Sequence, residues 1–317
     1  MNRQAVLTAL LATGAIFAQV RITQQAAQID VEINGKPFTS LFVSGPEITK
    51  PYLHPLRAAN GKIVSRVWPM EDKAGEAKDH KHHRGLWFTH GDVNGVDFWA
   101  NEVSQRKERM GPKFGTVEFL SADKTNSGKR KGSIKASFAW KDPSGKVLVH
   151  EAKTITFHAN KEMRVVDYES TLTGVEKSHF GDTEEGMFAL RLAAPLDGKH
   201  TGKMVSAEGN VGEKLMWGKR LPWVDYVGQL EGETIGVAIF DHPSNPKYPT
   251  YWHSRDYGLF AANIFGERDF YNDKTKDGGM TLEPGKSWTF RFRLLIHSGD
   301  TETAGIARMF AQWPAEK

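Results

Sequence analysis

The stretch 288-WTFRFRL-294 alternates large apolar side chains with polar ones. Successive side chains of a β-strand point to opposite faces, so this period of two predicts a strand with one buried face. The other face, which carries Arg291 and Arg293, is expected to meet solvent or to pair with carboxylates. This is the clearest strand signal in the chain, and it favours a fold built from antiparallel sheets.

A turn signal lies in the middle of the chain, where 142-DPSG-145 joins the runs Lys135–Trp140 and Val147–Phe157. Asp, Pro and Gly favour tight turns, and the two runs are therefore predicted to form a β-hairpin. Similar patterns predict further strands at Ala27–Ile33, Thr116–Leu120, Met163–Thr173, Gly186–Leu192 and Thr234–Phe240.

Helical spacing is confined to the tail, Thr301–Gln312, which is expected to close one end of a sheet. Ile306 and Phe310 lie about one turn apart there, and Thr301 or Thr303 is available as an N-cap. Many strands without intervening helices predict an all-β fold, a large antiparallel β-sandwich with a short C-terminal helix. Because no repeat, linker or composition shift divides the chain, residues 19–317 are predicted to form a single domain.

The N-terminus has the layout of a signal peptide. Residues 5–18 carry no charge and follow Arg3, and the run is shorter than the roughly 20 apolar residues that a membrane span needs. We expect cleavage after Ala18, release to the periplasm or the outside of the cell, and no membrane span.

Composition excludes some classes of function. The chain has no cysteine, which excludes disulfides, thiolate metal ligands and a lipidated cysteine. The net charge of +4 is mild. The densest basic stretch, residues 124–135, lies among Ser, Asn and Gly, which indicates a solvated hairpin tip and no nucleic-acid partner.

The densest group of chemically active residues is the run from residue 80 to residue 99. Four of the twelve histidines lie in it: His80, His82, His83 and His90. Neutral imidazole donates and accepts hydrogen bonds and moves protons near neutral pH, so His82, His83 and His90 are candidate catalytic residues. His80 is a candidate binding residue, together with Arg84, Trp87, Asp92, Asn94, Asp97 and Trp99.

Two further segments can complete this site. Glu184 and Glu185 precede a strand that carries Arg191, which is a candidate binding residue. One of the two carboxylates is a candidate acid or base, because adjacent side chains of an extended segment point to opposite faces. In the segment 241–270 aromatic residues alternate with polar ones, as a sugar ring requires, although core packing gives Trp252 and Tyr257 the same composition. His253 is the catalytic candidate there, and the binding candidates are His242, Trp252, Arg255, Tyr257 and Asn263.

Metal binding is the alternative use of the histidines. His80, His82 and His90, with Asp92 or Asp97 nearby, would suit Zn, Fe or Cu, but their spacing matches no sharp metal motif. The cofactor is therefore left open.

Three phrases carry a resemblance to a known family: 82-HHRGLWFTHGDVNGVDFW-99, 182-DTEEGMFALRLA-193 and 251-YWHSRDYGLFAANIFG-266. They resemble a bacterial family of unknown function that is often labelled methane oxygenase PmoA. The oxygenase subunit of that name spans membranes, whereas this chain has no spanning run after its signal segment. The label therefore implies no oxygenase activity here.

A second resemblance concerns the fold. The sequence 283-EPGK-286 followed by an alternating strand is similar to the close of galactose-mutarotase-like proteins, which are large antiparallel supersandwiches that bind sugars. Those enzymes use histidines and a glutamate across an open sheet. The resemblance implies comparable roles for His83, His90, His253 and Glu184 or Glu185.

Together these observations predict an exported carbohydrate-active enzyme whose cleft draws on all three segments. A histidine and a carboxylate would transfer protons in epimerisation, elimination or hydrolysis of a sugar or oligosaccharide. The alternatives are a metal-dependent, possibly redox, enzyme and a non-catalytic sugar-binding module. Substrate and oligomeric state are left open.

Overall fold

The structure is a computed structural model that describes residues 19–104 and 113–315. The predicted signal segment, residues 1–18, lies outside the described residues. The strands are β1 (Val20–Gln24), β2 (Gln28–Ile33), β3 (Lys36–Phe42), β4 (Tyr52–His54), β5 (Leu86–His90), β6 (Val96–Asp97), β7 (Lys113–Phe114), β8 (Thr116–Asn126), β9 (Lys131–Lys141), β10 (Val147–His158), β11 (Arg164–Gly174), β12 (Ser178–Phe180), β13 (Gly186–Arg191), β14 (Lys203–Ser206), β15 (Trp223–Leu230), β16 (Glu233–Asp241), β17 (Tyr251–Ser254), β18 (Leu259–Asn263), β19 (Met280–Leu282) and β20 (Ser287–Ser298). The α-helices are α1 (Glu213–Met216), α2 (Glu267–Phe270) and α3 (Ile306–Gln312), and short 3₁₀ turns cover Ala194–Leu196 and Trp313–Ala315.

Two eight-stranded antiparallel sheets form the body of the protein. Sheet I has the order β1-β2-β3-β4-β5-β13-β18-β17, and sheet II has the order β14-β15-β16-β20-β11-β10-β9-β8. Two small ribbons accompany them, the antiparallel pair β12-β19 and the parallel pair β6-β7. The prediction of a large antiparallel β-sandwich is confirmed.

The main core lies between the inner faces of the two sheets. Phe88 and Phe188 of sheet I face Phe290 and Phe292 of sheet II, and the rings of Phe188 and Phe292 stack with centroids 4.5 Å apart. Full burial of an aromatic side chain contributes roughly 1.5–3 kcal/mol, so this layer holds the sheets together.

The predicted strands are all present, and the predicted hairpin pairs β9 with β10. The tail differs in detail. Helix α3 begins at Ile306, after Gly305 in a left-handed conformation, and neither Thr301 nor Thr303 caps it. It packs its aromatic end on Phe240, with Phe240 and Phe310 rings 5.4 Å apart, and so it covers the outer face of sheet II instead of closing an end.

No helix in the described part of the chain is long and apolar enough to cross a membrane.

A row of directly paired residues crosses six strands of sheet I and defines its outer face. Paired residues of antiparallel strands project to the same side, and strands lie about 4.8 Å apart, so the row spans about 24 Å. Its members are Phe42, Tyr52, Trp87, Ala189, Ala261 and His253. Several of them form a cluster separate from the main core, and this outer face carries the site described below.

An ion pair lies inside the main core, on the inward face of β10. Glu151 and Lys153 are in contact and are 1% and 2% exposed. The Glu151 carboxylate accepts a hydrogen bond from Trp140 Nε1 at 2.9 Å. The Lys153 ammonium lies 5.1–5.6 Å from three ring centres, those of Phe88, Phe138 and Tyr168. The aromatic faces and the carboxylate together compensate for the lost hydration of the cation.

Replacement of Glu151 by Ala leaves Lys153 as a buried charge without its carboxylate. We expect the free energy of unfolding, measured in urea at pH 7, to fall by about 3–5 kcal/mol. The double variant Glu151→Leu/Lys153→Met should lose less, because no buried charge remains. Glu118→Ala breaks an exposed pair with Lys141 and should cost about 1 kcal/mol or less. If Glu151→Ala proved as stable as Glu118→Ala, the assignment of Glu151 and Lys153 as a buried ion pair would be contradicted.

Candidate functional site

One buried guanidinium holds the turn that leads into β5 through several hydrogen bonds. Arg66 is 2% exposed and donates to the carbonyl oxygens of Ala77, Asp79, His80 and His83 at 2.9–3.1 Å. It also donates to the Asp79 carboxylate at 2.7 Å. The backbone of the histidine run is thereby fixed before any ligand arrives.

Four aromatic rings stack on the outer face of sheet I. Trp87 and His83 have centroids 5.2 Å apart, His83 and His80 4.8 Å, and His80 and Tyr257 5.2 Å, with interplanar angles of 21°, 8° and 2°. Trp87 and His83 are buried, whereas the His80 side chain is 42% exposed. The solvent end of the stack is therefore formed by His80 and Tyr257.

Arg191 ties this stack to the sheet. Its guanidinium donates to Asp79 Oδ1 at 2.9 Å, lies 3.2 Å from His83 Nδ1, and lies 4.6 Å from the Tyr257 ring centre. A guanidinium only donates, so His83 Nδ1 accepts and the proton of the neutral ring is on Nε2. Burial, reinforced by the neighbouring His82 and by the charge of Arg191, holds the His83 pKa well below its usual range and keeps the ring neutral.

Asp79 is the counter-ion for two arginines. Burial acts to raise the Asp79 pKa, but hydrogen bonds and charge from His80 and Arg191 outweigh it and hold that pKa well below its usual range. The carboxylate is ionised at neutral pH and binds Arg66 and Arg191 at once.

His253, on β17, has a fixed tautomer. Its Nδ1 lies 2.8 Å from the Glu184 carbonyl oxygen, which only accepts, so Nδ1 carries the proton and Nε2 the lone pair. The ring lies edge-on to Trp217, with centroids 4.9 Å apart. Burial lowers the His253 pKa to about 4, against the hydrogen bond to Glu184, and the charges of Arg255 and His80 lower it further. His253 is a neutral, oriented base.

Glu184 is held next to this base by its backbone. Asn263 Nδ2 donates to the carbonyl oxygens of Thr183 and Glu184 at 2.9 and 3.0 Å. Burial and the charge of Asp269 raise the pKa of the Glu184 carboxyl, and Arg255 opposes them. Burial raises the pKa of Tyr257 to about 12, and the negative charge of the Glu184 carboxylate also acts to raise it. The carboxyl therefore lies within electrostatic reach of both Arg255 and Tyr257.

Arg255 connects Tyr257 to Trp217. Its guanidinium donates to Glu213 at 2.9 Å and lies 4.6 Å from the Trp217 ring centre and 5.6 Å from the Tyr257 ring centre. Successive contacts thus connect six residues, which we call the stack site: the side chains of His80, Tyr257, Arg255, Trp217 and His253, and Glu184 through its backbone carbonyl. They combine two flat aromatic faces, a neutral base, a carboxyl with a raised pKa and a paired cation.

The two adjacent glutamates lie in a bend before β13 and have different surroundings. Glu184 joins the stack site, whereas Glu185 lies within electrostatic reach of buried Lys50. The Glu185 backbone carbonyl accepts from the Gly91 N–H at 2.7 Å.

Three predicted site residues lie away from the stack site. His90 is on the inner face, between Phe180 and Phe265, and donates from Nε2 to the Gly181 carbonyl oxygen at 2.8 Å. Trp252 is also in the main core. His242 lies beside sheet II, with its ring edge-on to that of Trp313 and the ring centroids 4.8 Å apart. The structure does not bring these residues together with His253.

Asp92, Asn94 and Asp97 shape the loop after β5. Asp92 accepts from the Gly95 N–H at 2.8 Å, Asn94 from the His179 N–H at 2.8 Å, and Asp97 from the Trp99 N–H at 2.7 Å. These bonds turn the backbone, and they account for the polar residues there without a ligand.

Arg84 and Trp99 line the opposite side of the histidine run. Arg84 makes a two-pronged ion pair with buried Glu102 at 2.8 and 2.7 Å, and Trp99 packs on Trp87 with centroids 5.0 Å apart. His82 is buried edge-on to His83 at 4.3 Å.

Sequence patterns missed four residues that build the site: Lys50, Arg66, Glu213 and Trp217. Lys50 is 1% exposed, donates to Asn101 at 3.0 Å, and has a pKa that burial lowers to about 8. None of the four stands in a motif, and each reaches the site through tertiary packing.

Across residues 19–104 and 113–315, no three His, Asp or Glu side chains are placed to bind one metal ion. Of the predicted ligands, His80 lies on the outer face of sheet I and His90 on the inner face. The cofactor therefore stays an open question.

Residues 28–311 match the model of a family of unknown function, DUF6807. This description does not support the methane-oxygenase label that the sequence phrases suggested. No curated protein matches the chain.

Solved structures similar to this one include sugar-related proteins. A galactose mutarotase-like protein from Lactobacillus casei has 9% identity and a TM-score of 0.44, over 88% of this chain and 100% of that one. A galactose mutarotase-like protein from Clostridium acetobutylicum has 10% identity and a TM-score of 0.42, over 89% and 99%. Galactose 1-epimerase from Lactobacillus acidophilus has 8% identity and a TM-score of 0.38, over 90% and 100%. At this distance no residue's role transfers.

The buried neutral histidines make a prediction about acid stability. Burial lowers the pKa of His54, His90 and His253 to about 4 each, below the unfolded value of about 6.5. Between these values the unfolded chain binds more protons than the folded one, so stability is lost as pH falls from about 6.5 to about 4. We expect His253→Gln to reduce the dependence of unfolding free energy on pH, measured in urea at pH 5 and 7, by about 1 kcal/mol per pH unit.

His150→Gln is the matched control, because His150 is exposed on sheet II and should leave the pH dependence unchanged. Equal slopes for wild type and His253→Gln would show that His253 is not held neutral by the fold.

Proposed function

We propose that this chain, which belongs to the family of unknown function DUF6807, is a carbohydrate-active enzyme that binds a sugar at the stack site. The observation that carries the proposal is the pairing of His253 with Glu184. The backbone carbonyl of Glu184 accepts from His253 Nδ1 and fixes its tautomer, so the neutral imidazole contacts the backbone of the residue whose carboxyl has a raised pKa.

The composition of the stack site supports a sugar. The C–H face of a pyranose packs on a flat ring, and the half-buried Trp217 ring beside Arg255 is the candidate, because His80 and Arg191 contact the Tyr257 ring. Sugar hydroxyls require directional donors and acceptors, which the His80 ring, the Arg255 guanidinium and the Glu184 carboxyl supply. Both arginines nearby are paired with carboxylates, Arg191 with Asp79 and Arg255 with Glu213, which favours a neutral sugar over an acidic one.

The chemistry we propose is proton transfer. His253 Nε2 carries the lone pair and accepts a proton from the substrate, while the protonated Glu184 carboxyl donates one. Burial raises the pKa of the Glu184 carboxyl, which favours the protonated form that a general acid requires. Epimerisation, elimination and hydrolysis of a sugar can each use a general base together with a general acid.

Purified protein should therefore bind, and turn over, a member of a panel of neutral glycosides and 3-keto sugars. His253→Gln and Glu184→Gln should each lower kcat by about 10²–10⁴-fold, because each removes one proton-transfer group. The controls His150→Gln and Glu118→Gln alter exposed residues of sheet II and should retain wild-type rates.

No binding to any sugar in the panel would overturn the proposal. Sugar binding without turnover, unaffected by Glu184→Gln, would instead identify a non-catalytic sugar-binding module.

We also propose that the protein is exported, on the strength of the charge-free run 5–18. When the full chain is produced in a bacterium, the mature protein should appear outside the cytoplasm with an N-terminus at or near Gln19, as read by intact mass. Replacement of Leu10 and Leu11 by Arg should block this processing. Retention of Met1 by correctly folded wild-type protein would contradict export.

A further inference from the structure

A second cavity lies on the outer face of sheet I, beside β3 and β4 and apart from the stack site. Its volume is about 730 Å³, within the 300–1,000 Å³ typical of small-molecule sites. Apolar side chains dominate its wall, among them Phe42, Ile48 and Met70. The rings of Phe42 and Tyr52 stack 5.2 Å apart at 18°, so the wall includes a rigid aromatic pair.

His54 contributes a polar side chain to the wall of this cavity. It lines the cavity, is 4% exposed, and its buried Nδ1 has no hydrogen-bond partner among the described residues. A buried polar atom without a partner is destabilising, so a ligand group that bonds to it once the ring turns towards the cavity gains that interaction. Burial and the charges of Arg57 and Arg84 lower the His54 pKa to about 4, which keeps the ring neutral.

The charges around the cavity argue against an anionic ligand. Arg84, its buried cation, is already bound on two prongs by Glu102. Lys81 is the other cation of the wall, and it is offset by Glu47 and Glu71. The wall thus has three carboxylates for two cations.

We propose that this cavity is a second binding site, for an uncharged and largely apolar small molecule that carries one hydrogen-bonding group. The ring or chain of the ligand packs on Phe42, Ile48 and Met70, and its polar group bonds to the His54 imidazole, which lines the cavity. Lys81 and Arg84 belong to the same turn as His80 and His83, so the histidine run is a wall shared by this cavity and the stack site.

The test uses three probes of one shape: 4-methylphenol, 4-methylbenzoate and toluene, with binding followed by ligand-observed NMR. 4-Methylphenol should bind most tightly, toluene at least fivefold more weakly for lack of a polar group, and 4-methylbenzoate least because of its charge. Met70→Trp fills the cavity from a partly exposed position and should weaken 4-methylphenol and toluene at least fivefold. His54→Leu should weaken 4-methylphenol at least fivefold and leave toluene unchanged.

Leu120→Trp, at an exposed position of sheet II, is the matched control for Met70→Trp and should bind all probes like wild type. His253→Gln should also leave 4-methylphenol binding unchanged, which separates this cavity from the stack site. The proposal is overturned if 4-methylphenol fails to bind at 10 mM, or if it binds Met70→Trp as tightly as wild type. It is equally overturned if 4-methylbenzoate is preferred.

Discussion

The buried guanidinium of Arg66 is the interaction on which the site depends. One side chain satisfies carbonyl oxygens along the turn and also binds the Asp79 carboxylate. Unpaired carbonyls in a buried turn would destabilise the fold by several kcal/mol together. The hydrogen bonds from Arg66 therefore stabilise this irregular segment where it packs on the outer face of sheet I. The stack of His80 and His83 on Trp87 follows from the shape that Arg66 imposes.

Asp79 transmits that constraint to the sheet. The same carboxylate oxygen that meets Arg66 meets Arg191 of β13, and Arg191 in turn orients His83 and covers Tyr257. Ion pairs and hydrogen bonds therefore hold the buried end of the stack, and ring stacking holds its solvent end. Burial, with the charges of Arg191 and Arg66, holds the pKa of His83 well below its usual range, so this ring is neutral beside the two arginines.

The sequence predicted the fold well because alternation is a local signal. Trp288 to Leu294 and the 142–145 turn specify strand and hairpin without reference to distant residues, and both are present in β20 and in the β9–β10 hairpin. The C-terminal helix was placed correctly, but its start was not, because Thr301 instead donates to Asp225 at 2.7 Å.

Site residues were harder to predict, since their roles depend on which face of which strand they occupy. His90 has the same composition signal as His83, yet the alternation of β5 turns it towards the core. The choice between Glu184 and Glu185 required the contact with His253. Arg66 and Trp217 had no sequence signal, because their neighbours come from remote segments.

The register row of sheet I joins residues 42, 52, 87, 189, 261 and 253, which are spread over most of the chain. Contacts between such distant segments carry a larger loop-closure cost than local contacts do. The stack site likewise draws on residues from 80 to 257, so its geometry exists only when remote strands have assembled. A ligand of the proposed site would bind the assembled molecule and stabilise it by mass action, which would make occupancy a readout of folding.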